Sequence, residues 1–456
     1  MAYDLEELTV DSARRIVGNN AFSPEQWGAW LRMWWNAEDS RQRKTQIRRR
    51  MDYYDGNQLP YLRDLVRTTY EDAEALSMQL EFTNIVRMIV DRLSVIYNAG
   101  VRRDLTGPDV TDRERELWNW IQRQGRLDRV MDTVNRYVNL TGTALVMVRM
   151  TEDGLCFDIL TPDIVDIIPR PDNPSEAMSI SYSVSDGDDY LRITADERQR
   201  HLTYHYWDAD THFTFDTDGI VEDGDNPERI NPYGVLPFAR FTSGLPMDSY
   251  FSDSGEDMVT AQDMVNLKLA ELNHLLKMQS FSVPVLIGYE PDRDEKIVIS
   301  PGRPVVIPRS DREEQPAEFR FETPEPNIQA LMDEIDNKII RLARTYGLSD
   351  SDFRLTGSAQ SGLALRIQGR HLENRFNREL PYYEDGEQET FEIVRRVWNY
   401  HQPTLPVDHP FRDVRFSDTT TLSVTIYPPA IQKDPDENQK WWEFLFGAGV
   451  ASKIEF

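Results

Sequence analysis

Two helical segments enclose a short strand-rich segment in the second half of the chain, and this arrangement constrains the fold more than any other feature. The first helical segment begins after Ser254 and gives way near Pro284, and the second begins near Pro324 and ends at Gly347. Residues 283–322, between them, contain strand-like runs separated by charged turns. If the two helices run antiparallel, the strand-rich segment lies at the tip of a helical stalk. The pattern therefore predicts a projecting arm rather than an active-site cleft.

Both helices of this stalk carry an apolar stripe and signals for their ends. Residues 254–257 fit a capping box at the start of the first helix. Arg341 and Arg344 suit the negative end of the second helix, and Gly347 is its expected C-cap. The residues predicted to form the stripes are Ala261, Val265, Leu269, Leu272 and Leu276 on the first helix, and Ile328, Leu331, Met332, Ile335, Ile339 and Leu342 on the second.

The longest helical pattern of the chain follows a loop rich in Ser, Asp and Gly at residues 347–361. It begins near Gly362, where Ser361 can cap it, and if continuous it spans about 55 Å. Pro381 is expected to kink this helix, because proline lacks the N–H and clashes with the preceding turn. The loop joins this helix to the second stalk helix, so we expect the loop to be mobile.

The remaining sequence predicts an α+β chain with several structural regions. Residues 1–150 are expected to be mostly helical, and one of these helices is expected to close at Gly100. Residues 143–243 contain short β-rich runs, and residues 411–429 are expected to return one or two strands to that region. The face predicted for the helix before Gly100 comprises Ile85, Met88, Ile89, Arg92 and Ile96.

The charge of the chain limits the partners it can bind. Its 456 residues include 51 Lys and Arg against 78 Asp and Glu, which gives a formal net charge of −27. A protein that holds DNA by neutralising phosphates needs a basic face, and this excess of carboxylates opposes it. Two interpretations remain open: a charge that keeps the chain soluble, or a surface along which nucleic acid passes without adhering.

One block of the sequence is strongly positive, and it lies in a helical pattern. Its residues are Arg41, Arg43, Lys44, Arg48, Arg49 and Arg50. The simplest interpretation is a solvated helical face, because charge runs on helices usually point to water. The alternative is a surface that contacts DNA or an acidic face of another protein.

Cysteine usage and hydropathy indicate a reducing environment without a membrane. Cys156 is the single cysteine, so no disulfide can form within the chain. No run of about 18 apolar residues is present, and the N-terminal residues lack the pattern of a signal peptide. We therefore expect a cytoplasmic site of synthesis and no contact with a membrane.

The sequence offers little support for an enzyme. It contains no P-loop, no H-E-x-x-H motif and no G-x-S-x-G elbow. His201 and His205 are four residues apart, but strand-like context and the lack of a third ligand argue against a metal site. Asp350 and Asp352 can in principle hold Mg²⁺, although turn formation explains them more simply. We therefore expect no catalytic residue, no metal and no cofactor.

Several stretches of the chain resemble one protein family, in the order that the family shows. They are MDYYDGNQ, NIVRMIVDRLSVIYNAGVR, INPYGVLPFARF, SDSGEDMVTAQDMVN and SDSDFRLTGSAQSGLAL. Each stretch is weak alone, but together they cover roughly residues 45–430. They resemble the portal proteins of tailed double-stranded-DNA bacteriophages, in particular those of siphophages of Gram-positive hosts.

The resemblance implies a portal-type subunit that forms a ring of twelve copies at one vertex of the virion, assembled in the cytoplasm of the host bacterium. DNA would enter through the ring during packaging and leave at ejection, and the implied protein partners are terminase, head–tail adaptors, and the major capsid and scaffolding proteins. The implied regions are a wing at 1–253 (helical at first, β-rich at 143–243), a first stem helix at 254–281, a small α/β clip at 282–323, a second stem helix at 324–346, a tunnel loop at 347–361, a long kinked helix with returning wing strands at 362–432, and a short helical crown at 433–456.

The resemblance also assigns residues to these surfaces. The implied DNA-facing residues of the tunnel loop are Asp352, Phe353, Arg354, Leu355 and Thr356, of which Phe353 either projects inward or packs against the stem. The candidate DNA-facing cations of the stem are Lys268, Lys277, Lys338 and Arg341, each of which can equally pair with a neighbouring carboxylate. The implied clip residues that contact terminase or adaptors are Asp292, Arg293, Asp294, Lys296, Arg309, Asp311, Arg312 and Glu313.

Two other classes of function remain as alternatives. One is a metal-dependent nuclease or head-maturation enzyme that uses the acidic clusters, which a plasmid-cleavage assay with Mg²⁺ or Mn²⁺ distinguishes. The other is a monomeric scaffold or adaptor protein, which ring images of the purified chain distinguish.

Overall fold

Helices and strands alternate along the chain in the computed structural model. The residues it describes are 38–71, 78–185, 202–215, 220–221, 226–246, 249–252, 255–279, 283–287, 318–322, 327–348, 353 and 362–429. The helices are α1 (Glu38–Asp55), α2 (Leu59–Thr69), α3 (Ile85–Leu93), α4 (Asp112–Gln124), α5 (Leu127–Thr141), α6 (Glu256–Gln279), α7 (Ile328–Thr345) and α8 (Gly362–His401). The strands are β1 (Val101–Thr106), β2 (Thr143–Thr151), β3 (Gly154–Leu160), β4 (Val165–Pro169), β5 (Ala177–Ser185), β6 (Leu202–Asp208), β7 (His212–Phe215), β8 (Ile220–Val221), β9 (Phe238–Thr242), β10 (Val283–Ile287), β11 (Glu318–Glu322) and β12 (Thr421–Ile426). This mixture of helix and sheet confirms the predicted α+β class.

The described strands form antiparallel sheets, and their contacts divide the chain into two units. The sheets have the strand orders β3-β2-β9, β4-β5-β6-β7-β8, β1-β12 and β10-β11. The first unit comprises the described parts of Met1–Gly56, Asn84–Val259 and Ala343–Phe456. The second unit comprises those of Asn57–Thr83 and Thr260–Leu342.

The main core of the first unit lies where α8 packs across β9, β2 and β12. Aromatic side chains fill it, and Trp118, Phe391 and Trp398 are each at most 2% exposed. The backbone of α8 comes so close to β9 that a Cβ atom on Gly386 would lie 2.7 Å from the ring of Phe241. Glycine at this position therefore lets the helix lie directly on the sheet.

The helix α8 is 40 residues long and is continuous through Pro381. At 1.5 Å per residue it spans about 60 Å. The kink expected at Pro381 stays a prediction, and Ser361, the expected cap, lies outside the described residues.

The second unit joins α2 to the greater part of α6. Leu62 and Val66 of α2 share one buried cluster with Leu267 and Ala270 of α6. After α6 the chain forms β10, which pairs with β11 in antiparallel register before α7 begins. An antiparallel strand pair that follows one helix and precedes the next reverses the chain direction, as the predicted stalk requires.

Hydrogen bonds define both ends of α7. At its end, the N–H of Gly347 donates to the carbonyl of Arg344 and the N–H of Leu348 to that of Ala343, at 3.0 and 2.9 Å. Gly347 has a φ of +73°, so this is a Schellman motif and the predicted C-cap is confirmed. The start differs from the prediction near Pro324, because the side-chain oxygen of Asn327 accepts the N–H of Ala330 at 3.1 Å and caps the helix there.

The helix α3 ends earlier than the sequence predicts. It stops at Leu93 rather than at Gly100, and Met88 on its predicted inner face is 38% exposed. The reason is a set of contacts with α5, because the side-chain oxygen of Asn135 accepts the N–H of Ile96 at 3.3 Å. Ile96 therefore lies in a buried turn beyond the helix, and Gly100 ends that turn.

The returning strand pairs with a partner that the sequence analysis missed. β12 pairs with β1, which directly follows Gly100, and does not join the strands of 143–243. The sequence VRRDLT of β1 places Arg103 on the buried side of the strand, where it is 6% exposed. An arginine at an inward position hides the alternation of apolar residues that marks a strand.

Candidate functional site

Two of the predicted stem cations are paired on their own helices. The Nζ atom of Lys268 lies 2.7 Å from Glu271, and that of Lys338 lies 3.8 Å from Glu334. The hydrogen bond to Glu271 raises the pKa of Lys268, and the nearby Glu334 acts in the same direction. Both ammonium groups therefore face carboxylates of the second unit, which weakens any attraction to a passing phosphate.

The other two stem candidates lie on exposed surface. Lys277 is in the last turn of α6, and the side chain of Arg341 is exposed on α7. Several large apolar residues on these helices are exposed too: Met264, Leu276 and Met332 are 42%, 42% and 46% exposed. The predicted apolar stripes therefore include positions, Leu276 and Met332, that the chain does not cover by itself.

Phe353, at the centre of the predicted tunnel loop, is half-buried against α3. The Cζ atom of Arg92 lies 5.3 Å from the centre of its ring, within the range of a cation–π interaction. Phe353 was expected either to project inward or to pack against the stem, but in the structure it contacts Arg92 of α3. The tunnel-loop candidates Asp352, Arg354, Leu355 and Thr356 lie outside the described residues, as do the clip candidates Asp292, Arg293, Asp294, Lys296, Arg309, Asp311, Arg312 and Glu313.

The positive block of α1 is only partly the solvated face that the sequence favours: Arg41 is exposed, but Lys44 and Arg50 are buried. Lys44 and Asp166 form an ion pair, and the Nη2 atom of Arg43 lies 2.6 Å from the same carboxylate. Ser40 donates a hydrogen bond to Asp166 as well, at 2.5 Å. Lys44 is 7% exposed and Asp166 2%. These cations therefore attach α1 to strand β4 of the same chain.

The end of the same block is also buried within the first unit. Arg50 is 1% exposed, and its Nε atom lies 3.4 Å from Glu256 at the start of α6. The guanidinium of Arg49 lies over the ring of Tyr53, with 5.5 Å between Cζ and the ring centre. The alternative of a DNA-contacting face is thus unsupported for the buried members of the block, because their charges are already neutralised.

Burial shifts the ionisation of the groups around Asp166. Removal from water lowers the pKa of Lys44 to about 7, although attraction to Asp166 opposes this shift. Burial lowers the pKa of Arg43 and raises the pKa of Asp163, the neighbouring carboxyl. Each shift favours the neutral form of a group that the fold removes from water.

A second buried ion pair fastens β1 to α8. The Nε and Nη2 atoms of Arg103 lie 2.8 and 2.7 Å from the two carboxylate oxygens of Glu387. Both side chains are 1% exposed. Burial alone would lower the pKa of Arg103, but the paired Glu387 and its hydrogen bonds raise it overall. Sequence reasoning missed this pair, because 284 residues separate its members.

The histidine, cysteine and carboxylate positions singled out in the sequence do not form a metal site in the described part of the chain. His205 stacks 4.8 Å from the ring centre of Tyr182, and burial lowers its pKa to about 4. Burial also raises the pKa of the Cys156 thiol. Within the described residues, no three His, Cys, Asp or Glu side chains lie close enough to hold a metal ion. His201, Asp350 and Asp352 lie outside those residues.

The described helices also include none that is both long and apolar enough to cross a lipid bilayer. Even the longest, α8, carries charged residues along its length.

Comparison with known proteins identifies the family. The family described as phage portal protein, SPP1 Gp6-like, matches residues 36–441. No curated protein matches the chain significantly. Among solved structures, a chain from the neck of an empty GTA particle, computed with C6 symmetry, is 14% identical over 82% of this chain and 88% of that chain, with a TM-score of 0.46. A chain from the virion of a native gene transfer agent particle is also 14% identical, over 81% of this chain and 86% of that chain, with a TM-score of 0.44.

The family match spans every helix and strand of the described structure, from α1 to β12. It includes α6 and α7 with the strand pair between them, and the whole of α8. Because the match covers far more than half of the sequence, the chain belongs to the SPP1 Gp6-like family of phage portal proteins, which are structural proteins.

Proposed function

We propose that this chain forms a ring of twelve copies at one vertex of a phage capsid and that double-stranded DNA passes through the ring. DNA enters during packaging and leaves at ejection. The observation that carries the proposal is the match of the portal family over residues 36–441. The ring is part of the virion and is assembled in the cytoplasm of the host bacterium.

The geometry of the second unit supports this function. A pair of helices with a chain-reversing strand pair between them makes an arm, and arms from neighbouring copies can line a channel. The exposed apolar residues Met264, Leu276 and Met332 lie on these helices. Contact with neighbouring copies would remove them from water, which favours a ring over a single chain.

The charge of the chain suits a passage rather than a clamp. Twelve copies at −27 each would carry roughly 320 formal negative charges, while DNA carries one per about 1.7 Å of its axis. An acidic wall repels the phosphate backbone and keeps the duplex from adhering as it moves. Lys268 and Lys338 are paired with carboxylates, so their contacts with DNA would be shallow and sensitive to salt.

The remaining regions have separate roles in this proposal. Residues 347–361 form the tunnel loop at the narrowest part of the channel, and Asp352, Phe353, Arg354, Leu355 and Thr356 face the DNA or the neighbouring loop. Residues 282–323 form the clip, which docks terminase and later the head–tail adaptors. The wing at 1–253 and 362–432 contacts the major capsid and scaffolding proteins, and 433–456 form a short crown.

Electron microscopy of the purified chain tests the ring. We expect negative-stain images of rings with a central hole and a native mass of twelve subunits. A monomer at all protein concentrations would contradict the proposal and favour a scaffold or adaptor role. Plasmid DNA incubated with the ring and Mg²⁺ or Mn²⁺ should remain intact, and specific cleavage would favour the nuclease alternative.

Replacement of residues 353–355 by Gly-Gly-Gly tests the tunnel loop. We expect rings to form but genome packaging or retention to fail, because the side chains that contact DNA are lost. Arg92→Gln removes the cation above Phe353 and leaves the loop sequence intact, so it separates the loss of that contact from the loss of the loop side chains. Normal packaged genomes in the Gly-Gly-Gly variant would exclude this role for the loop.

A further inference from the structure

A cluster of arginines lines a concavity at the turn between α4 and α5. The concavity has a volume of about 730 Å³, and Arg123, Arg126 and Arg129 lie around it with Asn119 and Gln122. The side chains of Arg126 and Arg129 are exposed and have no hydrogen-bond or ion-pair partner among the described residues. Within the described ranges, the side chain of Arg123 donates only to the backbone carbonyl of Asn119, at 3.1 Å. In a chain with a net charge of −27, this is a local excess of positive charge.

The lining of this concavity contains one carboxylate, that of Asp128, and it is already engaged. An oxygen of Asp128 lies 2.5 Å from Nη1 of Arg103, the residue that also binds Glu387. The positive end of α5 adds to the arginines, because its N-cap, Arg126, supplies no side-chain cap. The concavity therefore attracts a carboxylate that the described part of the chain does not itself provide.

The backbone at Arg126 is unusual for a residue with a side chain. It has a φ of +51° and a ψ of 40°, the left-handed conformation that favours glycine. The preceding residue is glycine, yet its φ is −76°. The left-handed position thus carries an arginine instead of a glycine. A role for the positive charge of Arg126 in binding would account for this choice.

A groove of opposite character lies between α8, β5 and β9. Its volume is about 1240 Å³, and its lining includes Asp172, Glu176, Asp385, Glu389 and Glu392 as well as Arg170, Arg240 and Arg395. All three of these arginines are engaged within the chain: Arg170 by Asp172 and Glu176, Arg240 by the carbonyls of Ser175 and Tyr250, and Arg395 by those of Asp418 and Thr420.

Two carboxylates of the groove have no ion-pair partner among the described residues. Asp385 has no hydrogen-bond or ion-pair partner among the described residues, and Glu389 accepts only the backbone N–H of Arg240, at 2.9 Å. Leu245, on the rim, is 62% exposed. Arginine side chains with apolar stems fit such a groove.

The two surfaces lie at opposite edges of one sheet. Gly125, at the arginine concavity, is packed so closely against β3 that a Cβ atom there would lie 2.4 Å from the ring of Phe157. Phe238 and Arg240 of the acidic groove lie on β9. The strand order β3-β2-β9 places these two strands at the two edges of the sheet, with β2 between them. Each surface therefore adjoins a different edge strand of one sheet.

We propose that the arginine concavity of one subunit receives the acidic groove of the next, so that the two surfaces form a head-to-tail contact around the ring. This inference rests on the proposed ring and adds the contact that closes it. A cyclic ring needs two different, complementary surfaces on each subunit, one for each neighbour. Opposite charge at opposite edges of one sheet meets that requirement, and it also offsets the repulsion between subunits of the same negative charge.

Charge-swapped variants test the contact. Variant one carries Arg123→Glu, Arg126→Glu and Arg129→Glu, and variant two carries Asp385→Arg and Glu389→Arg. We expect each variant alone to be folded, with the circular dichroism spectrum of the wild type, but to shift from rings to single subunits in native mass spectrometry. An equimolar mixture should regain rings in which the two variants alternate, because each then meets a neighbour of opposite charge.

A third variant covers the case in which charge reversal prevents folding. Arg126→Gly removes one charge and relieves the left-handed backbone, so we expect a higher melting temperature but rings that dissociate at lower salt than the wild type. Wild-type rings with unchanged salt sensitivity in all three variants would overturn the contact and leave the ring proposal standing. A wild-type chain that forms no ring would instead overturn the proposed function.

Discussion

The cations of α1 and those of α6 and α7 look alike in the sequence but serve different purposes in the structure. Arg43, Lys44 and Arg50 of α1 are largely buried against Asp166 and Glu256, distant in the sequence. Lys268 and Lys338 instead pair with carboxylates three or four residues away on their own helices. The cations of α1 connect segments that are distant in the sequence, whereas Lys268 and Lys338 form ion pairs within a single helix.

The difference lies in how much free energy depends on each pair. A cation buried without its partner keeps the full cost of its removal from water, so breaking a buried pair is strongly destabilising. An exposed pair has water as a substitute for either partner and contributes little. The net charge of −27 therefore says little about which cations are available to DNA. The availability of each cation depends on whether the fold buries it and pairs it with a carboxylate.

The largest effect is expected from Glu387→Ala. This change leaves the guanidinium of Arg103, which is 1% exposed, without its partner on α8. We expect the free energy of unfolding to fall by about 3–5 kcal/mol, measured by denaturant titration with tryptophan fluorescence. The double variant Arg103→Leu with Glu387→Leu is the control and should recover most of the loss. A loss below about 1 kcal/mol for Glu387→Ala would show that water reaches the site.

A smaller loss is expected from Asp166→Asn. The change removes the charge that Arg43 and Lys44 share and leaves both cations near an uncharged amide. We expect a loss of about 2–3 kcal/mol in the free energy of unfolding and faster hydrogen exchange in α1. Asp172→Asn, which breaks an exposed pair with Arg170, should leave the exchange of α1 unchanged. Equal hydrogen exchange in α1 for both variants would contradict the difference between the buried pairs of Asp166 and the exposed pair of Asp172.

The pH dependence of stability tests Lys44 by itself. Burial lowers its pKa in the folded chain to about 7, so between pH 7 and its ordinary value of 10.5 the unfolded chain holds a proton that the folded chain has lost. Stability should therefore increase as pH rises through this window, by about 2 kcal/mol between pH 7 and 9. In Lys44→Met this increase should disappear when unfolding is measured at the same pH values. An unchanged increase would assign it to another group.

The smallest effects are expected from Lys268→Ala and Lys338→Ala. Lys338→Ala removes an exposed pair and Lys268→Ala a half-buried one. Both pairs are within one helix and open to water, so the free energy of unfolding should change by about 0.5 kcal/mol or less. Denaturant titrations at low and high salt provide the measurement, and the small change should shrink further at high salt. A loss comparable to that of Asp166→Asn would mean that the surface of α6 and α7 is as dependent on its charges as α1 is.

Local signals in the sequence were sufficient for the elements of the predicted stalk. The apolar spacing of α6 and α7 and the C-cap at Gly347 are properties of a few neighbouring residues, so they can be recognised without knowledge of the fold. The long helix α8 was recognisable for the same reason. Its continuity through Pro381 shows that packing against β9 and β12 outweighs the local cost of proline.

Contacts between distant residues explain what the sequence did not reveal. The acceptor for Arg43 and Lys44 lies more than 120 residues further along the chain, so the block looked solvated. The early end of α3 depends on Asn135 of α5, and β1 depends on Glu387 to bury Arg103. The sequence pattern of one helix shows which of its faces carries the cations. Whether those cations pair with a carboxylate depends on contacts with residues elsewhere in the chain.

The long helix α8 has a mechanical consequence. Buried side chains from Phe376 to Trp398 anchor its second half in the core, so this half acts as a fixed support. From Phe376 the helix backbone continues for about 20 Å to Gly362, its first residue. A helix is stiff over such a length, so a push at Gly362 reaches the core as torque about the anchored half. A displacement of the first turn of α8 would therefore be transmitted along the helix to the strands against which its anchored half packs.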